Sequence, residues 1–332
     1  MAPEWARFQK RARRMRKLAE CGSLDISFPE VLSVLQLCAI DEPFFPNLET
    51  LELWPITGEF IPFIPLFLSP RTTTIAIAFI FPDLDIAMIP SMITAFPALC
   101  PNLRDITLRR LPRDPTITAA VSGMVLASNR NTLRQFHVSS PLTEEAREVI
   151  YKLPDLRGLS VVIEGNALLS SLTLPGLTNL IIKYRHDNDW LRMFHGATFG
   201  KLEAVTFHSR SERIGSFLEA FERVALATSV QNTLSKFQLR TSCSWNPNYS
   251  SLLPFTQLTH LIVGFSCNAG YSSTVDDDIV THLAQTMPKL ETLRLGNYPC
   301  GEILTGGHSQ GIGGPRPSLP KPHCPSDTLP SG

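Results

Sequence analysis

A short apolar pattern recurs along most of this chain and constrains its fold more than any other feature of the sequence. Three apolar residues stand at positions i, i+3 and i+5, and in the clearest copies a proline and one further residue precede them. The segments 46–53, 101–108 and 288–295 are near-duplicates of one another. Because the last two apolar residues alternate with polar ones, they have the period of a β-strand with one buried face.

Further copies of the pattern fill the intervals between these segments. The central apolar residues lie at positions 51, 75, 106, 136, 159, 180, 205, 237, 261 and 293, which are 21 to 32 residues apart. A unit of this length cannot bury its apolar face alone, so successive units must stack on one another. The spacing matches the leucine-rich repeat, whose unit of roughly 20–29 residues contains one strand and a return segment.

The segments between the predicted strands have the features of helices. Thr143 precedes two glutamates, which gives a helix start with a capping hydroxyl and an acidic first turn. Residues 211–228 and the residues after Asp276 place apolar side chains at helical spacing, and a further helix is predicted over residues 27–37. Strands that alternate with helices form parallel sheets. We therefore expect an α/β leucine-rich repeat solenoid, a horseshoe with about ten parallel strands on its concave side and helices on its convex side.

The two ends of the chain differ from the repeats in composition. Residues 1–22 are basic and amphipathic, and we interpret them as a helical N-terminal cap whose apolar side covers the first repeat. The alternative is a nuclear signal or a nucleic-acid patch, because arginine and lysine recur between residues 7 and 17. Residues 23–305 form the predicted solenoid, and residues 306–332 are a tail rich in glycine, proline and serine that we expect to be disordered.

Charge and cysteine content restrict the environment of the protein. The formal net charge is zero, with 30 basic and 30 acidic residues, so the chain as a whole has no attraction to nucleic acid or to an anionic membrane. Arg71 and several prolines interrupt the apolar stretch over residues 60–100, which we predict to be core and not a membrane span. The 7 cysteines form no CxxC pair and no signal peptide opens the sequence, so we expect a cytoplasmic or nuclear protein with reduced thiols.

The sequence carries no recognisable catalytic or metal-binding motif. It contains no GxSxG, HExxH, GxGxxG or Walker loop. Its histidines are scattered over different repeats and do not stand at ligand spacing. We therefore predict that the protein is not an enzyme and that it has no catalytic residue, metal site or cofactor.

The repeat register predicts which side chains lie on the concave face: the residue after the last apolar residue of each strand, and the residue between the two paired apolar residues. Cationic and titratable groups dominate this set. We predict that Lys183, His208 and Arg240 form a ladder on strands about 4.8 Å apart, reaching towards Arg109. Our hypothesis is that this stripe binds an acidic or phosphorylated segment of a partner protein, with Trp54 as an aromatic anchor.

An alternative for the same face is a solvated surface whose charges only keep the protein soluble. The predicted partner-binding residues are Trp54, Arg109, His137, Lys183, His208, Gln238, Arg240 and Arg294. The register also places other residues on this face, namely Glu52, Ser139, Val162, Gly264 and Gly296.

Three stretches of the chain carry a family resemblance. They are Trp5-Ala6-Arg7-Phe8 with Arg13-Arg14-Met15-Arg16-Lys17-Leu18, Phe45-Pro46-Asn47-Leu48-Glu49-Thr50-Leu51, and Leu293-Arg294-Leu295-Gly296-Asn297. With these motifs, the region from Trp5 to about Gly307 resembles the leucine-rich half of fungal F-box proteins, a large group in mushroom-forming fungi. In that family an F-box ahead of the repeats recruits Skp1 and a cullin, and the repeats select the protein to be ubiquitinated. No F-box precedes the repeats in this sequence, so the resemblance covers the repeat region only and leaves binding of Skp1 or a cullin without support.

The sequence is compatible with three functions. The first, implied by the resemblance, is the substrate-recognition part of an F-box (SCF-type) ubiquitin ligase adaptor. The second is a general leucine-rich repeat scaffold that binds proteins and is unconnected with ubiquitin. The third is nucleic-acid binding through the basic N-terminus, which predicts a steep salt dependence.

Overall fold

The predicted alternation of buried and exposed residues is present in the strands of the molecule. A computed structural model describes residues 3–21, 32–34, 43–80, 86–128, 132–163, 173–184, 197–209, 215–241, 249–266 and 277–298. The strands within these ranges are β1 Lys17–Cys21, β2 Thr50–Ile56, β3 Thr74–Phe79, β4 Asp105–Arg109, β5 Gln135–Pro141, β6 Gly158–Ile163, β7 Thr173–Leu174, β8 Asn179–Tyr184, β9 Thr198–Phe199, β10 Ala204–Ser209, β11 Lys236–Thr241, β12 His260–Ser266 and β13 Thr292–Tyr298.

One large parallel sheet holds most of these strands. It has 11 strands in the order β1-β2-β3-β4-β5-β6-β8-β10-β11-β12-β13. The order of the strands in this sheet is therefore their order along the chain. The short strands β7 and β9 form a separate parallel pair. The predicted α/β class and the parallel sheet are thus confirmed. The apolar pattern did not identify β1, which adds a strand within the segment interpreted as a helical cap.

Helices connect the strands. They are α1 Pro3–Ala12, α2 Ile64–Phe67, α3 Met88–Leu99, α4 Pro115–Ala127, α5 Glu144–Tyr151, α6 Gly215–Ala227 and α7 Asp277–Thr286, with 3-10 turns at Gly58–Phe63, Val230–Asn232 and Tyr249–Leu252. The predicted cap of α5 is present, because the Thr143 hydroxyl accepts a hydrogen bond from the Ala146 amide at 3.4 Å. Asp114 caps α4 in the same way, accepting from the Thr116 amide at 2.7 Å. Of the helix predicted over residues 27–37, only residues 32–34 are described, and they are helical.

The core lies on one face of the sheet. The central apolar residue of each repeat is fully buried from β2 to β12, as at Leu51, Ile106 and Leu261. Buried side chains of α3 and α4, such as Phe96 and Val121, belong to the same apolar cluster. The helices therefore cover the apolar face of the sheet, and the residues that alternate with the core positions lie on the opposite face.

A repeated hydrogen-bond pattern fixes the start of each strand of the large sheet after β1. Two consecutive amides donate to a single backbone carbonyl of the preceding repeat; Glu49 and Thr50, for example, donate to Arg16 O at 2.8 and 3.0 Å. The accepting carbonyls belong to Arg16, Glu49, Thr73, Arg104, Arg134, Arg157, Thr178, Glu203, Ser235 and Thr259. Because each strand takes its register from the strand before it, the side chains of successive repeats come into line across the sheet.

The two ends of the sheet are covered to different degrees. At the first end, Trp5 and Phe8 of α1 stack at 5.1 Å between ring centroids, and both contact Phe44 edge-on. At the other end, the core positions Leu293 and Leu295 of β13 are only partly buried. The predicted tail, residues 306–332, lies outside the described residues.

The described part of the apolar stretch over residues 60–100 belongs to the core. Phe60, Ile77 and Phe96 within it are almost fully buried. Cys100 at its end is a buried free thiol, and burial raises its pKa to about 12, which makes it a poor nucleophile. None of the helices in the described ranges is long and apolar enough to cross a membrane.

Candidate partner-binding surface

The polar face of the sheet, meaning the side chains that alternate with the core positions, carries all the residues that the sequence predicts for binding. The row nearest the carboxyl ends of the strands contains Trp54, Ala78, Arg109, Val162, Lys183, His208, Arg240, Gly264 and Gly296. The next row contains Glu52, His137, Gln238 and Arg294. Most of these side chains are half-buried, and Arg294 near the β13 edge is exposed.

Three of the predicted residues form what we call the cationic ladder: Lys183, His208 and Arg240. Strand pairing places His208 opposite Lys183 on one side and opposite Arg240 on the other. Their backbones are therefore about 4.8 Å apart at each step, as the repeat spacing predicts. Whether the cationic ladder binds a partner stays a prediction.

His208 is the neutral member of the cationic ladder. Burial, and after it the positive charges of Lys183 and Arg240, together lower its pKa to about 3. A neutral imidazole between two cations limits the repulsion among them while keeping ring nitrogens that can donate or accept a hydrogen bond.

Gln238 orients Arg240 from the adjacent row of the same strand. With its side-chain oxygen turned towards the guanidinium, Gln238 accepts hydrogen bonds from Arg240 Nη2 at 2.8 Å and Nε at 2.6 Å. This interaction holds one edge of the guanidinium fork in a fixed direction. Gln238 therefore acts as a positioning residue for the cationic ladder.

A second feature of the polar face is the stack of Arg109 on Trp54, which we call the Trp54–Arg109 stack. The guanidinium carbon of Arg109 lies 4.5 Å from the centroid of the Trp54 ring, a cation–π contact. The two residues belong to strands separated by β3, where Ala78 pairs with Arg109. The alanine methyl is small enough for the two long side chains to meet above it.

β2 is irregular next to this contact. Between Leu53 and Ile56 the register of β2 against β3 shifts, so that Trp54 and Pro55 stand opposite the single residue Ala78. Trp54 keeps the alternation of the strand and lies on the polar face, and a bulge of this kind bends the strand beside it. Pro55 is the sequence signal that marks it, because proline cannot donate to a sheet ladder and is found at edges and bulges.

The end of β4 is fixed by its own contacts. Arg110 has a positive φ of 56°, a left-handed conformation that is uncommon for residues other than glycine. The next amide, that of Leu111, donates to the Ser139 hydroxyl oxygen at 2.9 Å. These contacts hold the turn that follows Arg109, whose pKa burial lowers.

Two residues predicted to lie on the open face contribute little surface there. The Ser139 hydroxyl oxygen accepts a hydrogen bond from the Leu111 amide. The register of β5 shifts between His137 and Pro141, so that Pro141 and not Ser139 pairs with Val162. Val162 itself is 4% exposed. The register of the sequence pattern was wrong at this point because it assumed that β5 has no bulge.

His137 lies over the start of the next strand. A Cβ added to Gly158 would stand 3.1 Å from His137 Nε2, so the absence of a side chain at Gly158 makes room for the imidazole. His137 pairs with Ser160, which is 3% exposed. This part of the polar face is therefore closely packed.

The carboxylates of the polar face are engaged elsewhere. Glu52 forms an ion pair with Lys17 at 2.9 Å, and Asp105 accepts a hydrogen bond from the Thr74 hydroxyl at 3.3 Å. Burial raises the pKa of Asp105. Neither of these contacts involves Arg109.

The described residues contain no cluster of histidine, cysteine, aspartate and glutamate that could hold a metal ion. No protein-family model matches the chain, and no curated protein matches it in sequence.

Proposed function

We propose that the protein is a leucine-rich repeat solenoid that binds a partner protein on the concave, polar face of its sheet, in the manner of the substrate-recognition part of an F-box ubiquitin ligase adaptor. The partner segment is acidic or phosphorylated. The protein works by binding and carries out no catalysis of its own.

The repeated architecture supports the solenoid part of the proposal. The strands follow each other in sheet order, all in parallel, and the paired amides at each strand start donate to the preceding repeat. Stacked repeats of this kind expose one face along their whole length. The resemblance to fungal F-box proteins adds the expectation that this face selects a protein to be ubiquitinated.

The observation that carries the binding proposal is the charge of the polar face. The chain is neutral overall, yet the row that contains Arg109, Lys183 and Arg240 has no carboxylate among its described residues. An uneven distribution of charge on a neutral protein gives local attraction to a partner of the opposite sign.

An affinity purification with matched variants tests the proposal. The wild-type chain, the triple variant Arg109→Gln, Lys183→Gln, Arg240→Gln and the control variant Lys201→Gln are expressed in parallel, and the recovered proteins are identified by mass spectrometry. Lys201 is exposed and lies outside the polar face. We expect proteins that the wild type and the control recover and the triple variant loses. Recovery of the same proteins with all three chains would refute binding through the polar face.

The same experiment separates the functions that the sequence leaves open. Skp1 and a cullin among the recovered proteins support the ubiquitin ligase adaptor. Other proteins without them support the general scaffold. Nuclease-sensitive recovery with a steep salt dependence supports nucleic-acid binding through α1, where Arg7, Lys10 and Arg11 are exposed.

A further inference from the structure

We propose that the polar face binds two anionic side chains of one extended partner segment, one at the Trp54–Arg109 stack and the other at the cationic ladder, about four to six residues apart in the partner. This inference rests on the proposed function, since it requires that a partner protein occupies the polar face. It adds the number of anionic groups and their spacing.

The Trp54–Arg109 stack has the geometry of an anion site. The guanidinium carbon of Arg109 lies over the Trp54 ring, 4.5 Å from its centroid. A guanidinium carries five N–H donors, and a cation–π contact with one ring supplies none of them with an acceptor. No acceptor from the described residues forms a hydrogen bond with this guanidinium, and no carboxylate from them pairs with it. A planar fork held against an aromatic ring binds a carboxylate or phosphate through two parallel hydrogen bonds.

The surroundings of Arg109 keep this fork in one place. Ala78, which stands between the two strands, is small enough for Trp54 to reach the guanidinium. The bond from the Leu111 amide to Ser139 holds the chain that follows. A preorganised site loses less side-chain entropy when a ligand binds.

The cationic ladder offers a second anion site of different character. Lys183 and Arg240 flank His208 on adjacent strands, and Gln238 fixes the direction of the Arg240 guanidinium. An anion placed over His208 is in reach of both cations and reduces the repulsion between them. The neutral imidazole of His208 can offer one ring N–H to the same anion.

The sheet sets the distance between the two sites. From Arg109 to Lys183 there are three strand steps, through β5 and β6 to β8, which is about 14 Å at about 4.8 Å per step. One further step reaches His208, at about 19 Å. An extended peptide advances about 3.3 Å per residue, so these distances correspond to about four to six residues.

The residues between the sites carry no charge that would make them one continuous stripe. Pro141 and Val162 stand at the intermediate positions. The face therefore distinguishes a partner with two separated anionic groups from one with a continuous acidic run or a single acidic residue.

The test is a selection that makes no assumption about spacing. Random 12-residue peptides displayed on phage are panned against the immobilised full-length chain, and the positions of aspartate and glutamate in the enriched peptides are recorded. We expect pairs of acidic residues four to six positions apart to be enriched. Enrichment of peptides without such pairs, or no enrichment at all, would overturn the inference.

A double-mutant cycle then assigns each anionic group to its site. One enriched peptide is synthesised with both acidic residues and with either one replaced by its amide, and each form is titrated against wild type, Arg109→Gln, Lys183→Gln and the control Lys201→Gln. Each replacement in the protein is expected to weaken the two-anion peptide about tenfold or more. Once one particular acidic residue is removed from the peptide, Arg109→Gln should have little further effect on the affinity. Once the other acidic residue is removed, Lys183→Gln should have little further effect.

The outcomes separate this inference from the proposed function. If both variants weaken peptide binding equally whichever acidic residue is present, the two-site inference is wrong, although partner binding on the polar face stands. If neither variant changes the affinity of a bound peptide, both proposals are wrong. Circular dichroism of each variant, compared with wild type, verifies that the sheet is intact.

Discussion

The two ends of the sheet bury their core residues to different degrees, although both are built from the same repeat pattern. At the first end, the rings of Trp5, Phe8 and Phe44 cover the core next to β1. At the last end, Leu293 is only partly buried, whereas its register partner Leu261 in β12 is 0% exposed. In a stack, a repeat buries its apolar face only to the extent that something lies on each side of it. We therefore expect a leucine at the same position of the repeat to contribute less stability in the last repeat than in an interior one.

The largest expected effect comes from comparing these matched leucines. Leu261→Ala removes a fully buried side chain and should lower the free energy of unfolding by about 2–5 kcal/mol. Leu293→Ala, at the partly exposed position, should cost about half as much or less. Urea denaturation followed by circular dichroism measures both. Equal losses would show that the last repeat is as well covered as the interior.

Removing the aromatic cover should make the first end resemble the last. Phe8→Ala deletes a half-buried ring that contacts Trp5 and Phe44, and we expect a loss of about 1–3 kcal/mol. Hydrogen exchange should become faster in β1 and remain unchanged in β12, because the effect is local. Arg7→Ala on the exposed side of α1 is the matched control. Unchanged exchange in β1 would mean that α1 does not stabilise this end.

Acidification should destabilise the folded chain through His208, in the middle of the sheet. The pKa of His208 is lowered to about 3 in the folded chain, against about 6.5 in the unfolded chain. The unfolded state therefore binds more protons between these values, and stability falls as the pH drops from about 6.5 towards 3.

This acid effect has a direct measurement. Between pH 7 and pH 5, wild type should lose on the order of 1 kcal/mol more than His208→Gln. His260→Gln, a histidine elsewhere on the polar face, should retain the acid-dependent loss because His208 is still present. A wild-type loss that His208→Gln fails to reduce would place the responsible groups elsewhere.

The smallest effect is expected from the ion pairs at the first end. Arg16 pairs with Glu49 and Lys17 with Glu52, each at 2.9 Å, and the Arg16 and Glu49 side chains are largely exposed. Replacing both glutamates by glutamine should change the free energy of unfolding by less than about 1 kcal/mol. A larger loss in thermal or urea unfolding would show that charge, and not the aromatic cover, secures this end.

The sequence predicts the parts of the fold that depend on periodicity. From β2 to β12, the central apolar position of each repeat is buried, and the register that brings Lys183, His208 and Arg240 together follows from counting along the repeats. Such features can be predicted because one physical requirement, burial of alternate side chains, recurs in every repeat.

The parts that escape the sequence are the departures from that periodicity. The contact between Trp54 and Arg109 reaches across β3, where the small side chain of Ala78 stands between their strands, and the pattern gives no sign of it. The bulge in β5 gives Ser139 a structural role in place of a surface one. Pro55 and Pro141 are the local signals, but a proline marks only that the ladder is interrupted and not which side chains then meet.

Because the strands follow one another in sequence order, evolution can change the distance between the two anion sites by adding or removing a repeat. Since each strand pairs with the one before it, duplication of one repeat between β4 and β8 would move the sites apart by about 4.8 Å without altering any side chain in either of them. Deletion of a repeat would shorten the distance by the same amount. The partner motif that such a protein recognises would change by one or two residues in length, so unequal crossing-over within the gene could create a new specificity in a single event.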